Sequence, residues 1–500
     1  MTSPPAISVS GADAPFRPHQ RAGRSRLALA GVGWSILNTL LGAGLSALVF
    51  ALASRVLSPD DFGLVALATA IVMFLSCLTP VAFAEALVQA RDLGPRHLDT
   101  VFWAALGAAG ILYAALFLAA PQLAVWFGAP DLAPLLYFVG LRLLIDAMAA
   151  VPGAIVLRAM NFRALAQRTA IANAAGGLAC LGMVWAGYGL WALAATQVVT
   201  ALFALMALVP AARWRPGLHV SGEAWRDLKS FGMFSAGTRF LAEMRLDQML
   251  IGFLAGPAAL GLYYFARRLF QILGDLTAGA FNPVSTVLLA SFQDEPEKRR
   301  EAFLITCHAS ALLAVPVFAG VMAVAGTAVP FVFGGHWAGA IPALQAFSVI
   351  GMMASLGVVQ AALIRAAGRA DWWFGYQAVS QLSALPLIWG LMTWGLDAVM
   401  WALTLRVLLL WPFSVSMTLR LIDLSLLDYI RAVAAPFSAA ALMAGVIVNL
   451  SPLLEGAPPA LRLGLEIGIG AAVYLAAVIP FSWDRLSRLR SILRNRKATS

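Results

Sequence analysis

Residues 302–364 run for sixty-three positions without one Asp, Glu, Lys or Arg. A helix or strand at the surface of a soluble fold meets water on one side and shows polar residues at its own period. This stretch shows no such interruption. Further uncharged runs cover 27–54, 62–84, 100–130, 169–212 and 372–396. A bilayer-crossing helix needs about 20 apolar residues, so several of these runs hold one span, while 169–212 and 302–364 hold two each. Helices are implied because backbone polar groups in lipid must be satisfied within the segment or in a closed barrel. Barrel strands read as short alternating segments, and these runs are unbroken. Composition agrees: 61% of the residues are hydrophobic and 12% charged, against roughly 25% charged in soluble domains. A single soluble core also stops growing near about 250–300 residues, and this chain has 500. The bilayer is the solvent.

The expected fold is therefore all-α and integral to the membrane, with about 14 transmembrane helices. The predicted spans are 29–55, 62–87, 100–120, 132–157, 168–187, 189–211, 229–254, 258–291, 302–328, 342–364, 372–392, 395–419, 430–450 and 461–482. Residues 1–26, polar with four arginines, read as a tail and not a secretory leader. The apolar stretch behind them exceeds the roughly 7–15 residues of a leader's apolar core.

Charge orients the spans. Of 34 Lys and Arg, 26 fall on the side that carries both termini, including Arg158, Arg163, Arg168, Lys298 to Arg300 and the tail from Arg485 to Lys497. The opposite links hold Arg55 and Arg462. Basic loops stay in the cytoplasm, which places both termini there. The same bias explains the net charge of +10 without nucleic-acid binding. The three cysteines and five histidines are scattered through the chain, so neither a metal site nor a redox pair is expected. No connection exceeds about twenty residues and no phosphate-binding glycine loop is present. These features point away from an enzyme and from any cofactor.

A weak internal repeat is visible. Pro59-Asp60-Asp61-Phe62-Gly63-Leu64 matches Pro257-Ala258-Ala259-Leu260-Gly261-Leu262 as Pro-x-x-apolar-Gly-Leu. Gly189-Leu190-Trp191 pairs with Gly395-Leu396-Asp397, and the arginines Arg158 and Arg163 pair with Arg365 and Arg369. All three matches are offset by about 200 residues, an even number of spans, so the halves share one orientation and relate by a pseudo-two-fold axis along the membrane normal. The expected organisation is a tail (1–27), a six-helix bundle (28–212), a cytoplasmic linker (213–228), a second six-helix bundle (229–420), two extra helices (428–482) and a basic tail (483–500). Two facing bundles imply a cleft between them, the architecture of a transporter.

Charges inside spans are costly, by about 2.5–3.5 kcal/mol each on insertion scales, and mark pathways. Six arginines fall there: Arg142, Arg239, Arg245, Arg267, Arg268 and Arg406. They are the candidate substrate-binding residues of the cleft, because guanidinium binds phosphate in bidentate fashion. Arg142 and Asp146 share a face at i,i+4, as do Arg239, Glu243 and Asp247. The acids Asp146, Glu243 and Asp247 are candidates for a coupling ion, while mutual neutralisation between helices is the structural alternative. Arg245, Arg267, Arg268 and Arg406 show no same-face acid at that spacing. The tryptophans Trp126, Trp337, Trp372 and Trp373 lie near predicted span ends, where an interfacial aromatic belt is expected.

Several segments resemble polysaccharide flippases of the Wzx type, a branch of the multidrug/oligosaccharidyl-lipid/polysaccharide exporter superfamily. The similarity is carried by Ala53-Ser54-Arg55-Val56-Leu57-Ser58-Pro59 through Leu64, by Ala84-Glu85-Ala86-Leu87-Val88-Gln89, by Arg245-Leu246-Asp247-Gln248 leading to Gly261-Leu262-Tyr263-Tyr264, and by Gly335-His336-Trp337. It covers roughly residues 28–480 and is nearest to colanic-acid exporters. The resemblance implies a bacterial inner-membrane protein that moves undecaprenyl-pyrophosphate-linked oligosaccharide by alternating access for surface polysaccharide synthesis. It also leaves the polysaccharide polymerase and export machinery as candidate partners. Two other functions stay open on the sequence: a cation-coupled drug antiporter of the same superfamily, and a membrane-embedded glycan enzyme.

Overall fold

The computed structural model describes residues 42–90, 93–227, 240, 243–277 and 295–498. Among them every regular element is helical, as the unbroken apolar runs require. In chain order these are α1 (Gly42–Ser54), α2 (Pro59–Cys77), α3 (Phe83–Gln89), α4 (Pro95–Trp126), α5 (Leu132–Arg158), α6 (Phe162–Trp185) and α7 (Leu190–Ala212). They continue with α8 (Leu246–Thr277), α9 (Pro296–Phe333), α10 (Ile341–Ala366), α11 (Ala370–Leu382), α12 (Ala384–Leu391), α13 (Leu396–Ile422), α14 (Leu426–Leu450) and α15 (Pro459–Ala498).

Ten helices among the described residues are long and apolar enough to cross a membrane, against the fourteen expected. The difference has local causes. The first predicted span is described only from Gly42, and most of the seventh (229–254) lies outside the described residues. Its end joins the eighth in α8, where Gly256 breaks the helix at φ 77° just before Pro257. The fifth corresponds to α6, whose first turns carry Arg163, Gln167, Arg168 and Asn173. The eleventh is split at Ser383 into α11 and α12, each too short to cross alone. The predicted span 62–87 is also not one helix. It stops at Cys77, passes through a 3-10 turn at Pro80–Ala82 and restarts as α3, because Pro80 cannot continue the backbone ladder. The basic tail continues α15.

Helix starts follow from local chemistry. Proline opens α2, α4, α9 and α15, at a position where its missing N–H costs nothing. At α2 the Ser58 N–H and hydroxyl donate to Asp61 Oδ2 at 2.9 and 2.7 Å, and the Asp61 N–H donates back to Ser58 Oγ at 3.2 Å. The repeated link motif is thus partly a capping box.

The chain falls into two compact units, residues 1–49 with 64–249 and residues 50–63 with 250–500. The boundary passes through α1, α2 and α8. In the first unit Phe83, Leu98, Val101, Phe102, Val151, Ile155 and Leu208 form a core between α3, α4, α5 and α7. In the second, Phe303, Val315, Leu356, Leu363, Val415, Tyr429, Met443 and Tyr474 join α9, α10, α13, α14 and α15. The last two long helices therefore share the core of α9, and Tyr474 donates its hydroxyl to the Leu312 carbonyl at 2.8 Å.

Candidate functional site: intramembrane arginines and a helix-lined cavity

The two Pro-x-x-apolar-Gly-Leu motifs meet inside the second unit. A Cβ placed on Gly63 would stand 1.8 Å from the Pro257 carbonyl oxygen, and one on Gly261 would stand 1.8 Å from the Pro59 oxygen. Each glycine of one Pro-x-x-apolar-Gly-Leu motif thus packs on the proline of the other. The contact is reciprocal, as a two-fold relation between the motifs requires. Glycine is needed for the closeness of the backbones, a common device at helix crossings in membranes.

Beside this crossing lies an aromatic cluster. Trp337 stacks on Phe265 at 4.3 Å and 16°, and meets Phe62 edge-on at 5.1 Å. Phe50 contacts Phe62, Phe265 and Phe333. Trp337 Nε1 donates to the Ser54 carbonyl at 2.7 Å, which also lies 3.0 Å from His336 Nε2. Trp337 is 0% exposed, so its expected place in an interfacial belt is corrected. Its ring is core, drawn in by a hydrogen-bond partner for the indole and by the neighbouring rings of Phe62, Phe265 and His336. Trp126 is exposed, as a belt residue would be, and Trp372 lies under the Arg369 guanidinium at 3.9 Å.

Several arginines assigned by sequence to loops cap helices instead. Arg55 donates from Nε to the Val332 carbonyl at 2.7 Å and from Nη2 to that of Phe331 at 2.8 Å, at the end of α9. Arg158, itself buried, donates from Nη1 to the carbonyls of Leu87, Val88 and Ala90 at the end of α3. Arg299 and Arg300 reach the Leu421 and Ile422 carbonyls that end α13. A helix C-terminus presents unsatisfied carbonyls and partial negative charge, which a cation satisfies.

The six candidate cleft arginines divide as follows. In the first unit, Arg142 Nε donates to Asp146 Oδ2 at 3.1 Å along α5, and Nη1 donates to Gln197 Oε1 of α7 at 2.7 Å. Asp146 also interacts electrostatically with Arg168 of α6, an arginine placed in a loop by sequence. Arg245 lies just before α8, its carbonyl accepting from the Gln248 and Met249 N–H groups. Glu243 and Asp247 flank it. Arg239 lies outside the described residues.

In the second unit, Arg267 Nη1 donates to the Tyr263 hydroxyl at 3.1 Å. Arg406 of α13 donates to the Ser380 carbonyl and interacts electrostatically with the same Tyr263. Two predicted arginines are therefore held within the helices of this unit, Arg267 by the Tyr263 hydroxyl and Arg406 by the Ser380 carbonyl. Arg268, one position on and turned about 100° around the helix, lines a cavity of about 510 Å³ instead. The cavity is walled by Phe270, Gln271, Gly274 and Asp275 of α8, Phe318 of α9, and Gly351, Ala354, Ser355 and Val358 of α10. Tyr263, Phe347, Phe270 and Phe318 follow one another at centroid distances of 5.4, 5.4 and 5.9 Å.

Tyr263, Gln271 and Asp275 carry part of this site; the first two are not singled out in the sequence, and Asp275 reads there as an intramembrane acid with no assigned role. A signal for them exists. Positions 263, 267, 270, 271, 274 and 275 recur every three or four residues on α8 and so share one face. Pairing acids with arginines only at i,i+4 passes over Asp275, which stands at i+7 from Arg268. Among the described residues, no group of three or more His, Cys, Asp or Glu is placed to hold a metal ion.

An all-helical, multi-pass membrane protein with arginines inside its spans is the class this architecture defines. A family of polysaccharide biosynthesis proteins matches residues 52–342. The chain belongs to this family, in keeping with the Wzx-type resemblance read from the sequence. It is 27% identical to the succinoglycan biosynthesis transport protein ExoT of Rhizobium meliloti, over 93% of this chain and 95% of that protein. It is 24% identical to the teichuronic acid biosynthesis protein TuaB of Bacillus subtilis, over 90% of this chain and 95% of the relative. The lipopolysaccharide biosynthesis protein WzxC of Escherichia coli is also 24% identical, over 72% and 74% of the two chains. Among solved structures, the lipid II flippase MurJ in an inward closed conformation superposes with a TM-score of 0.72 at 13% identity, covering 92% of this chain and all of that one. That likeness is one of fold.

Proposed function

We propose that this protein translocates undecaprenyl-pyrophosphate-linked oligosaccharide units from the cytoplasmic to the periplasmic leaflet of a bacterial inner membrane, with both termini cytoplasmic. Its relatives in polysaccharide biosynthesis supply the cargo class. The observation that carries the reading is the placement of Arg267 on α8 and Arg406 on α13, held by the Tyr263 hydroxyl and the Ser380 carbonyl, within spans of a polysaccharide biosynthesis family. Cations inside a membrane cost about 2.5–3.5 kcal/mol each on insertion scales and are retained for a pathway. Guanidinium groups suit a pyrophosphate, which offers several oxygens for bidentate hydrogen bonds.

In this reading two six-helix bundles (28–212 and 229–420) open a shared cleft alternately to each side, within fourteen crossings. Arg142, Arg239, Arg245, Arg267 and Arg406 contribute the cationic lining, while Arg268 lies with Asp275 in the cavity beside it. The lipid tail stays in the bilayer while the head group crosses, so no covalent bond changes. Asp146, Glu243 or Asp247 couples the cycle to proton or sodium entry. The test is deletion of the gene followed by complementation. Arg245→Ala and Arg267→Ala, present in the membrane at the wild-type level, are expected to abolish surface polysaccharide. Normal polysaccharide with both variants overturns the assignment of the cleft arginines.

A further inference from the structure

The cavity between α8, α9 and α10 has a composition unlike an anion site. Its volume, about 510 Å³, falls within the range of roughly 300–1,000 Å³ usual for small-molecule sites. One guanidinium, Arg268, and one carboxylate, Asp275, line it together and interact electrostatically. A pyrophosphate would meet the carboxylate and a cationic drug would meet the guanidinium, so the lining has no net charge to offer either. What remains is a set of neutral demands. Gln271 supplies a donor and an acceptor, Asp275 accepts, and Arg268 donates. Two phenyl rings, Phe270 and Phe318, supply apolar faces 5.9 Å apart.

The space is maintained by the backbone. A Cβ on Gly351 would stand 2.4 Å from the Phe318 ring. Glycine at that position therefore lets the ring lie against α10, and any larger residue would push it away. Phe270 is fixed in turn by stacking on Phe347 at 5.4 Å and 25°.

We infer that this cavity is a carbohydrate subsite that takes one neutral pyranose ring of the cargo. A pyranose presents C–H faces, which pack on aromatic rings, and an equatorial rim of hydroxyls, each both donor and acceptor. The amide, carboxylate and guanidinium match that rim, and the phenyl rings match the faces. The inference rests on the lipid-linked oligosaccharide reading above. It divides the work on α8: Arg267 serves the phosphate side, while Gln271 and Asp275, one to two turns further on, serve the sugar.

The test uses the full chain in nanodiscs and measures binding of three probes by thermophoresis. These are undecaprenyl pyrophosphate, and the same lipid bearing one glucose or one galactose. The expected result is that a sugar-bearing probe binds about tenfold more tightly than the bare pyrophosphate. Gln271→Ala and Phe318→Leu are expected to bring that ratio to within twofold while leaving the bare probe's affinity unchanged. Equal binding of all three probes by the wild type overturns the subsite and leaves the pyrophosphate reading standing, as does an undiminished ratio in both variants. Failure of every probe to bind overturns both. Binding of tetraphenylphosphonium that is lost in Asp275→Asn makes the cavity a cation site and overturns the subsite.

Discussion

A methyl group added at Gly261 has nowhere to go. The Cβ of Gly261→Ala would stand 1.8 Å from the Pro59 oxygen and 2.6 Å from its carbonyl carbon. A carbon and a carbonyl oxygen in favourable contact lie about 3.3–3.6 Å apart, so the two backbones must separate by about 1.5 Å at the crossing. No side chain can swing aside, because both clashing atoms are main chain. The strain falls on the start of α2 and the second arm of α8, and through them on the ring cluster of Phe62, Phe265 and Trp337. Overpacking of this kind costs about 1–3 kcal/mol. On the scaling for domains of 150–250 residues that is a fall in melting temperature of roughly 2–12 °C. The reciprocal contact makes Gly63→Ala an equal perturbation. The double variant is expected to lose less than the two single losses together, since the first methyl already parts the helices. The control is Gly357→Ala, a helical glycine of α10 with open space around its Cβ position, where alanine gains up to about 1 kcal/mol in helix propensity. The assay is thermal unfolding of purified protein in detergent, followed by size-exclusion fluorescence. A Gly261→Ala melting temperature equal to that of wild type or of Gly357→Ala would refute the close crossing.

Two more perturbations test the packing around the candidate site. Trp337→Phe keeps the stacking on Phe265 but removes the donor to the Ser54 carbonyl, and is expected to cost about 1 kcal/mol, whereas Trp337→Ala costs about 3–5 kcal/mol; equal melting temperatures for the two would show that ring packing contributes nothing. For Arg142 and Asp146, with side chains 27% and 37% exposed, a double-mutant cycle with Arg142→Ala and Asp146→Ala is expected to give a coupling of about 1 kcal/mol, and strictly additive melting shifts would remove the pair.

Much of this architecture is legible in the sequence for a physical reason. Lipid demands long apolar segments with self-satisfied backbones, so the all-helical membrane class can be read from charge-free runs, although their number does not give the span count directly. The repeat is legible because its glycine is a steric necessity, and a steric necessity leaves one letter at a fixed place. What fails is the inference of partners across distance. Trp337 looks like a belt residue because position along a span is visible in sequence, while the carbonyl of Ser54, far off in the chain, is not. Arg158 counts as a loop charge for the same reason, although its guanidinium is spent on three carbonyls at the end of α3. The break at Ser383 is preceded by Ser380 and Gln381 and followed by Pro386, a pattern that hydropathy averaging smooths over.

The placement of residues 50–63 with the second unit has a consequence for how the repeat works. These residues belong by sequence to the first half, yet their contacts are Arg55 on the end of α9, Ser54 under Trp337, and Pro59 and Gly63 on Gly261 and Pro257. Backbone atoms provide the partner in every one of these contacts. The Phe50 and Phe62 rings of the same segment pack on Phe265, Phe333 and Trp337, so the join combines main-chain approach allowed by glycine, carbonyls at helix ends and ring packing. A separation of about 1 Å at this join lengthens the hydrogen bonds to the capped carbonyls and from the indole past useful geometry together, so these contacts are expected to be lost as a group.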